Sequence, residues 1–569
     1  MNHHPKSSLE RLFPFIGQLN GYSGSKLSRD FIAGLTVSVV LIPQVMAYAI
    51  LAGLPPVYGL YAAFLGTAVA ALWGSNSQLS TGPVALVSFL VAAGLAPIAK
   101  PESPEYIALA VVLAFLIGAI QLMMGSFKLG FIMNFISHSV IAGFTTAAAI
   151  IIATTQIPGL LGFKTEKHEV VLADLFDILS SIGKTHFPTL AIGLSATIFI
   201  IFCKRKISKA FPGGLVMLAA GILLSYLIDL ESSGVAIIGS IEANVGFPAF
   251  PKVSVTQLVE LFPSALVIAT VGFLEAFAIS KSIAAKTKEK IDVNQELIGQ
   301  GLGNLASCIF KGYPIAGSFS RTAVNFNAGA ATCLSSVFVS VFVLITILYL
   351  TPLLHFLPRA ILSAIVISAL VDLIEFGKFR ETFKLSGIDG IVITTTFVFA
   401  FVSQPDHALI IGILVSLILF LRKTIAAEVV PLVFHFEEER FRKLDESNRK
   451  KEFKRMLILR IDMSVFFANA HNISDQIEHL VELKGSKLEY LVINYSGVNY
   501  MDVSACEVLG ELFDELKARG IKIFSMYRKR QIREIMEKSG VEDKFVMLKD
   551  IKGFKHEFII QKNTNYVLD

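Results

Sequence analysis

From about Phe31 to about Leu421, apolar stretches near the ~20-residue length needed to cross a bilayer follow one another with few interruptions. The first is FIAGLTVSVVLIPQVMAYAILAG. The second begins at Tyr58, a shorter third near Pro83, and two more lie within Tyr106–Met124 and Phe131–Thr155. A polar amphipathic segment around 165–184 breaks the series and is expected outside the bilayer. Spans six and seven fall within 186–203 and 214–229. A second set starts near Phe262 and continues near 292–310, 318–330, 332–351, 356–372, 388–403 and 407–421. The pattern predicts about fourteen spans. The ninth contains QELIGQGLGN and is weak by hydropathy alone.

Beyond Leu421 the pattern changes. FHFEEERFRKLDESNRKKEFKR reads as a solvated linker or helix. RMLILRIDMSVFFANA then reads as strand–turn–strand, 471–484 as a helix and LEYLVINYS as a buried strand. DVSACEVLGELFDELKARG is an amphipathic helix ending at Gly520, followed by the strand IKIFSMY and the helix RKRQIREIMEKSG. Alternating strands and helices imply a small soluble α/β domain of about 110–120 residues. The expected organisation is an N-terminal segment at 1–29, a transmembrane domain at 30–425, a charged linker at 426–452 and the α/β domain at 453–569.

Fourteen spans divide into two sets of seven, and an odd number per set inverts the second relative to the first. LSTGPVALVSF opens the third span and PIAGSFSRTAVNF the tenth. Both are short, interrupted by Gly or Pro, and carry hydroxyls where a full span would be apolar. Half-helices in corresponding places aim their N-termini at a common site, where free N–H groups and the helix dipole favour an anion. Lys and Arg concentrate in alternate loops by roughly two to one, which puts both termini on the cytoplasmic side.

Composition agrees with a membrane chain. Of 569 residues, 54% are hydrophobic and 17% charged, and the mean hydropathy is +0.65. Disorder, collagen and a disulfide scaffold are excluded. The four cysteines lie far apart, so neither structural zinc nor a disulfide framework is expected. A net charge of +5 does not point to nucleic acid. The N-terminus lacks the pattern of a signal peptide.

A few polar residues in the spans are candidates for chemistry. Arg321, next to Ser320 at the start of the tenth span, suits an oxyanion, because guanidinium binds two oxygens at once. Glu275 lies mid-span without a local cation and could carry a proton or pair with Arg321. Gln44 follows Pro43, which is expected to interrupt the first span, and Tyr48 lies one turn later. Asp389 reads as a helix N-cap, and Asp406 and His407 as part of a turn. No Walker A, HExxH or GxSxG pattern is present, and no nucleophile–base pair is visible.

IPQVMAYAILAGLPPVYGLYAAFLGTAVAALWGSNSQLSTGPVALVS, GSFSRTAVN and LVINYSGVNYMDVSACEVL occur in that order. Together they resemble the sulfate permease (SulP) family with a C-terminal STAS domain, and the resemblance covers nearly the whole chain. It implies a polytopic α-helical membrane protein of 7+7 inverted spans in core and gate domains, plus a small α/β STAS domain, assembled as a homodimer. It implies an elevator-like secondary transporter with no cofactor and no enzymatic activity, in the cell inner membrane. By position, Gln44, Tyr48, Val84, Phe319, Ser320 and Arg321 would line the anion site, with backbone N–H groups near Val84 and Phe319–Arg321 doing much of the binding. Glu275 matches the carboxylate of proton-coupled carriers, which points to proton–sulfate symport. Bicarbonate or dicarboxylate transport and anion exchange remain open, as do an anion channel and a sensor signalling to a cytoplasmic partner. Asp502 and Ser504 match the Asp-x-Ser regulatory site of STAS domains, but Ala505 and Cys506 stand where the family has glycine.

Overall fold

The computed structural model describes residues 13–19, 21–165, 171–207, 211–239, 253–403, 405–426, 428–435, 438–446 and 452–560. Expectations about the first twelve residues, the end of the 204–209 basic loop, the last five residues of the acidic loop at 231–244 and residues 447–451 of the linker lie outside these. The chain forms two compact units, Met1–Ser416 and Leu417–Asp569.

A short helix α1 (Phe15–Leu19) precedes the spans. The first seven are α2 (Gly24–Leu51), α3 (Val57–Trp73), α4 (Ala85–Leu95), α5 (Pro104–Ser126), α6 (His138–Leu161), then α8 (Phe187–Lys206) and α9 (Gly213–Ile228), with the amphipathic α7 (Val171–Ser180) between α6 and α8. The second seven are α10 (Val255–Thr287), α11 (Val293–Ile309), α12 (Phe319–Asn327), α13 (Leu334–Ile345, continued by irregular turns to Phe356), α14 (Arg359–Leu370), α16 (Gly387–Val402) and α17 (Pro405–Ile425). The amphipathic α15 (Phe376–Leu385) precedes α16. Among the described residues, seven helices are long and apolar enough to span a bilayer unaided. Five are shorter but apolar; α11 and α12 are more polar still.

Two-residue strands β1 (Thr81–Gly82) and β2 (Ala316–Gly317) lead into α4 and α12. They pair antiparallel, Thr81 with Gly317 and Gly82 with Ala316. Each inverted set thus contributes one strand and one half-helix to a shared crossing. Around it, α11 packs along α3 and α5, α13 along α2 and α3, and α10 against α4, α5 and β2. A second group forms where α14 packs on α6 and α8, α16 on α6, and α9 on α8.

Close backbone approach holds the first group together. A Cβ on Gly59, in the PPVYGLY stretch, would lie 1.9 Å from the Val45 carbonyl oxygen. A Cβ on Gly301 would meet the Leu122 nitrogen at 2.7 Å. The glycines that make QELIGQGLGN weakly apolar therefore let α11 sit against α5, as small residues do between membrane helices.

Several expectations are corrected. Pro43 does not interrupt the first span: α2 continues through it, the missing N–H leaving only one carbonyl of the preceding turn without its helical partner. The basic segment 281–290 is not all loop, because α10 extends to Thr287. Ser386, not Asp389, caps α16, accepting the Asp389 N–H at 3.3 Å. Asp406 and His407 fall within α17 rather than in a turn.

In the second unit, β3 (Val429–His435), β4 (Arg440–Lys443), β5 (Met456–Ile461), β6 (Tyr490–Asn494), β7 (Lys522–Met526) and β8 (Val546–Leu548) form one sheet in the order β4-β3-β5-β6-β7-β8. Strands β5 to β8 are parallel, and β3 and β4 are antiparallel additions. The charged linker at 426–452 therefore contains two sheet strands; Arg440 and Arg442 both pair with Glu438 on its exposed face. Only a single bridge, Val465 to Met501, stands where the second strand of RMLILRIDMSVFFANA was expected.

Alternation along β5 divides its side chains between two cores. Leu457, Leu459 and Ile461 pack with Ile473 and Ile477 of α18 (Ala470–Lys484) and with Leu509 and Phe513 of α19 (Val503–Ala518). Met456 and Ile458 pack with Phe434, Phe554 and Phe558. Both faces are covered, as a parallel sheet requires.

Candidate functional site

The crossing carries the only arginine that the described spans bury completely. Arg321 is 0% exposed, in the first turn of α12. Its Nη1 donates to the Pro83 carbonyl at 2.9 Å, tying α12 to the entry of α4. Its Nε and Nη2 are buried and unpartnered. Placing such a charge mid-span costs roughly 3 kcal/mol even on insertion scales. Two unused donors, fixed in plane by the bond to Pro83, suit bidentate contact with an oxyanion.

The two helix N-termini differ. Val84, almost wholly buried, precedes α4 in extended backbone and supplies no side-chain cap, so the first-turn N–H groups are left to other acceptors. Ser318 caps α12, its Oγ accepting the Arg321 N–H at 3.5 Å. The Ser320 Oγ lies 3.5 Å from the Ser318 Oγ.

The structure gathers some of the candidates and not others. Tyr48 and Glu275 lie within electrostatic range of Arg321 and of each other. Glu275 makes no ion pair with Arg321; its Oε2 is shielded and unpartnered. Gln44 is half-buried on α2, which packs against both α4 and α12, and its Oε1 is also unpartnered. The side chains of Phe319 and Ser320 are exposed and do not line the enclosed part of the site.

Sequence reasoning missed several residues. Tyr313, wholly buried, is an electrostatic neighbour of Arg321 and Tyr48, and its hydroxyl lies 3.0 Å from the Ser88 Oγ on α4. Gln300 donates to the Thr81 Oγ1 at 2.9 Å. Asn304 takes the Ile315 N–H at 2.8 Å and donates to the Ile315 carbonyl at 3.1 Å. Thr322 accepts the Ser80 N–H at 3.0 Å. The four-residue spacing of Glu296, Gln300 and Asn304 was the available signal, because it puts three polar side chains on one face of a span.

In the second unit, Asp502 caps α19, its Oδ1 accepting the Ala505 N–H at 2.8 Å and its Oδ2 the Phe467 N–H at 2.9 Å. Ser504 is exposed in the first turn. Burial pushes the neighbouring Cys506 thiol up, which makes it a poor nucleophile.

Comparison with known proteins agrees with this architecture. The family model described as the sulfate permease family matches residues 27–396, and that of the STAS domain matches 448–556. The chain is similar to the chloroplastic sulfate transporter 4.1 of Arabidopsis thaliana, 32% identical over 94% of this chain and 80% of that protein. It is also similar to a probable sulfate transporter of Mycobacterium tuberculosis, 30% identical over 93% of this chain and 94% of that one. Among solved structures, the murine solute carrier 26 family member A9 anion transporter, in the inward-facing state, superposes with a TM-score of 0.90 at 23% identity. That superposition covers 97% of this chain and 95% of the other. The transmembrane domain of a cyanobacterium bicarbonate transporter gives 0.60 at 26% identity, over 70% of this chain and 98% of that one. A buried cation between two opposed half-helices, fourteen spans and a six-stranded C-terminal sheet, together with these matches, make the chain a member of the sulfate permease family, a multi-pass membrane anion transporter with a STAS domain.

Proposed function

We propose that the protein is a proton-coupled sulfate symporter of a cell inner membrane, working by an elevator-like movement, with both termini cytoplasmic. The observation that carries the anion site is Arg321, buried within the spans with two guanidinium nitrogens unused. The free N–H groups of α4 face the same crossing, and the dipoles of α4 and α12 add positive potential there. Gln44 and Tyr48 of α2 border this site, and Val84 and Phe319–Arg321 contribute backbone donors.

Glu275 is the proton carrier in this reading. A carboxylate in the field of Arg321, without a direct bond to it, responds to whatever occupies the arginine. A bound dianion offsets the cation and favours a proton on Glu275. Protonation in turn reduces the charge carried across. The packing of α6, α8, α9, α14 and α16 on one another, with α2 and α4 among their contacts to the other group, supports movement of the α2–α5 and α10–α13 group against them. We further propose a homodimer in membrane lipid, with the STAS domain meeting a cytoplasmic partner at the exposed Ser504 beside the Asp502 cap.

Sulfate is chosen over other anions because the Arabidopsis and Mycobacterium relatives are named for it. Bicarbonate is the second reading, favoured by the likeness to the cyanobacterium bicarbonate transporter. Radiolabelled sulfate uptake into proteoliposomes, with and without an inward proton gradient, tests the proposal. Uphill accumulation that depends on the gradient is expected. Gradient-indifferent uptake refutes symport, and bicarbonate uptake without sulfate uptake gives the second reading.

A further inference from the structure

Glu296 is a second membrane carboxylate, 1% exposed, with no role in the site as described so far. Among the described residues it has no cationic partner; three neutral groups satisfy it instead. Its Oε2 accepts the Ser75 N–H and the Ser75 Oγ–H, both at 2.9 Å, and its Oε1 accepts the Gln300 Nε2 at 3.3 Å. Burying an unpaired carboxylate is costly, and an apolar residue would fill the space at lower cost. What the carboxylate supplies is direction. As a carboxylate its Oε1 can only accept, so the Gln300 amide turns its NH2 group toward both Glu296 and Thr81. The Gln300 Oε1 is left buried without a partner, so the amide is held by its NH2 side alone.

One turn further along α11, Asn304 grips Ile315 by both its N–H and its carbonyl, immediately before β2. A single helix face thus fixes both strands of the crossing, β1 through Gln300 and β2 through Asn304. Thr81 lies two residues before Pro83, whose carbonyl anchors Arg321. The Thr81 carbonyl is held from the other side by the Thr67 Oγ1 at 2.8 Å.

We propose that Gln300 and Asn304 are positioning residues for the anion site, with Glu296 setting the orientation of Gln300, so that α11 determines where the Arg321 guanidinium and the α4 N-terminus meet an anion. This rests on the anion-site reading above. The distinguishing test exchanges the two side chains. Q300E sets two carboxylates against each other, whereas E296Q/Q300E restores a donor facing an acceptor and lets the Thr81 hydroxyl donate.

Sulfate binding to the purified full-length protein should weaken about tenfold or more in Q300E and in Q300L, as expected when buried polar groups lose their partners. It should return to within about threefold of native in E296Q/Q300E, because contacting residues couple rather than add. Melting temperatures measured in parallel separate packing from positioning. Native affinity in Q300L with only a lowered melting temperature overturns the proposal, as does a double variant no better than Q300E. Arg321→Ala measured alongside separates the two readings. If it binds as native, the anion site itself is wrong and the ladder falls with it. If it loses binding while Gln300 variants keep theirs, only the ladder falls.

Discussion

Helices α4 and α12 occupy corresponding places in the two inverted sets, yet their chemistry is opposite. α4 is apolar throughout its first turn and uncapped by any side chain. α12 is nine residues long, has a serine cap and carries the buried arginine. The repeat duplicates geometry, giving each half a two-residue strand and a half-helix. It does not duplicate charge. One half presents bare backbone donors and the other a fixed cation, so a dianion meets a site that is symmetric in shape and asymmetric in electrostatics. A second cation in α4 would leave two unpaired charges buried whenever the site is empty.

The largest effect should come from the charged half. Arg321→Ala should weaken sulfate binding by about 30-fold to 4,000-fold, the range for losing one partner of a buried charged contact. Binding measured on folded protein checks this, and native affinity would remove the asymmetry from the mechanism. Glu275→Gln should leave sulfate binding largely intact while abolishing the response of uptake to a proton gradient. Parallel binding and gradient-driven uptake separate the two effects. If Glu275→Gln keeps its gradient response, another group carries the proton.

Smaller changes sharpen the comparison. Gly59→Ala should destabilise the membrane unit by about 3 kcal/mol or more through overpacking, since its Cβ would overlap the Val45 carbonyl. A thermal melt in detergent reads this, and an unchanged midpoint would mean that α2 and α3 can part without cost. Val84→Ser should give α4 the cap that α12 already has. That stabilises the helix by about 1 kcal/mol but occupies an N–H otherwise left for the anion. Losing the buried Val84 side chain costs at least as much, so the expected outcome is a melting temperature no higher than native with weaker sulfate binding. Unchanged binding would mean that the α4 amides do not touch the anion. Asp502→Ala, in the other unit, should cost the STAS domain about 1 kcal/mol as a lost cap and leave anion binding unchanged.

Much of this was legible in the sequence, for reasons particular to each element. The spans α5 and α6 are continuous apolar runs, so hydropathy alone located them. Arg321 stood out because arginine is rare within a span. The strands β3 and β4 were not legible, because β4 is charged along its length and its place in the sheet depends on pairing with β3. α11 was weak by hydropathy for a related reason. Its Glu296, Gln300 and Asn304 face other protein, where hydrogen bonds replace the apolar character that lipid would demand.

The sequence by itself determined that the chain crosses a membrane many times, that its C-terminal end alternates strands and helices, and that one arginine and one glutamate lie where lipid would otherwise exclude them. These follow from local composition and period, which need no knowledge of neighbours. Tertiary structure alone decided that Arg321 is anchored on Pro83 with two nitrogens free and that Glu275 lies in its field without bonding to it. It alone decided that β1 meets β2 and that one face of α11 holds both. The pairings of β1 with β2, Gln300 with Thr81 and Arg321 with Pro83 each join residues more than 200 positions apart, and no local pattern records a partner that arrives only when the two halves fold together.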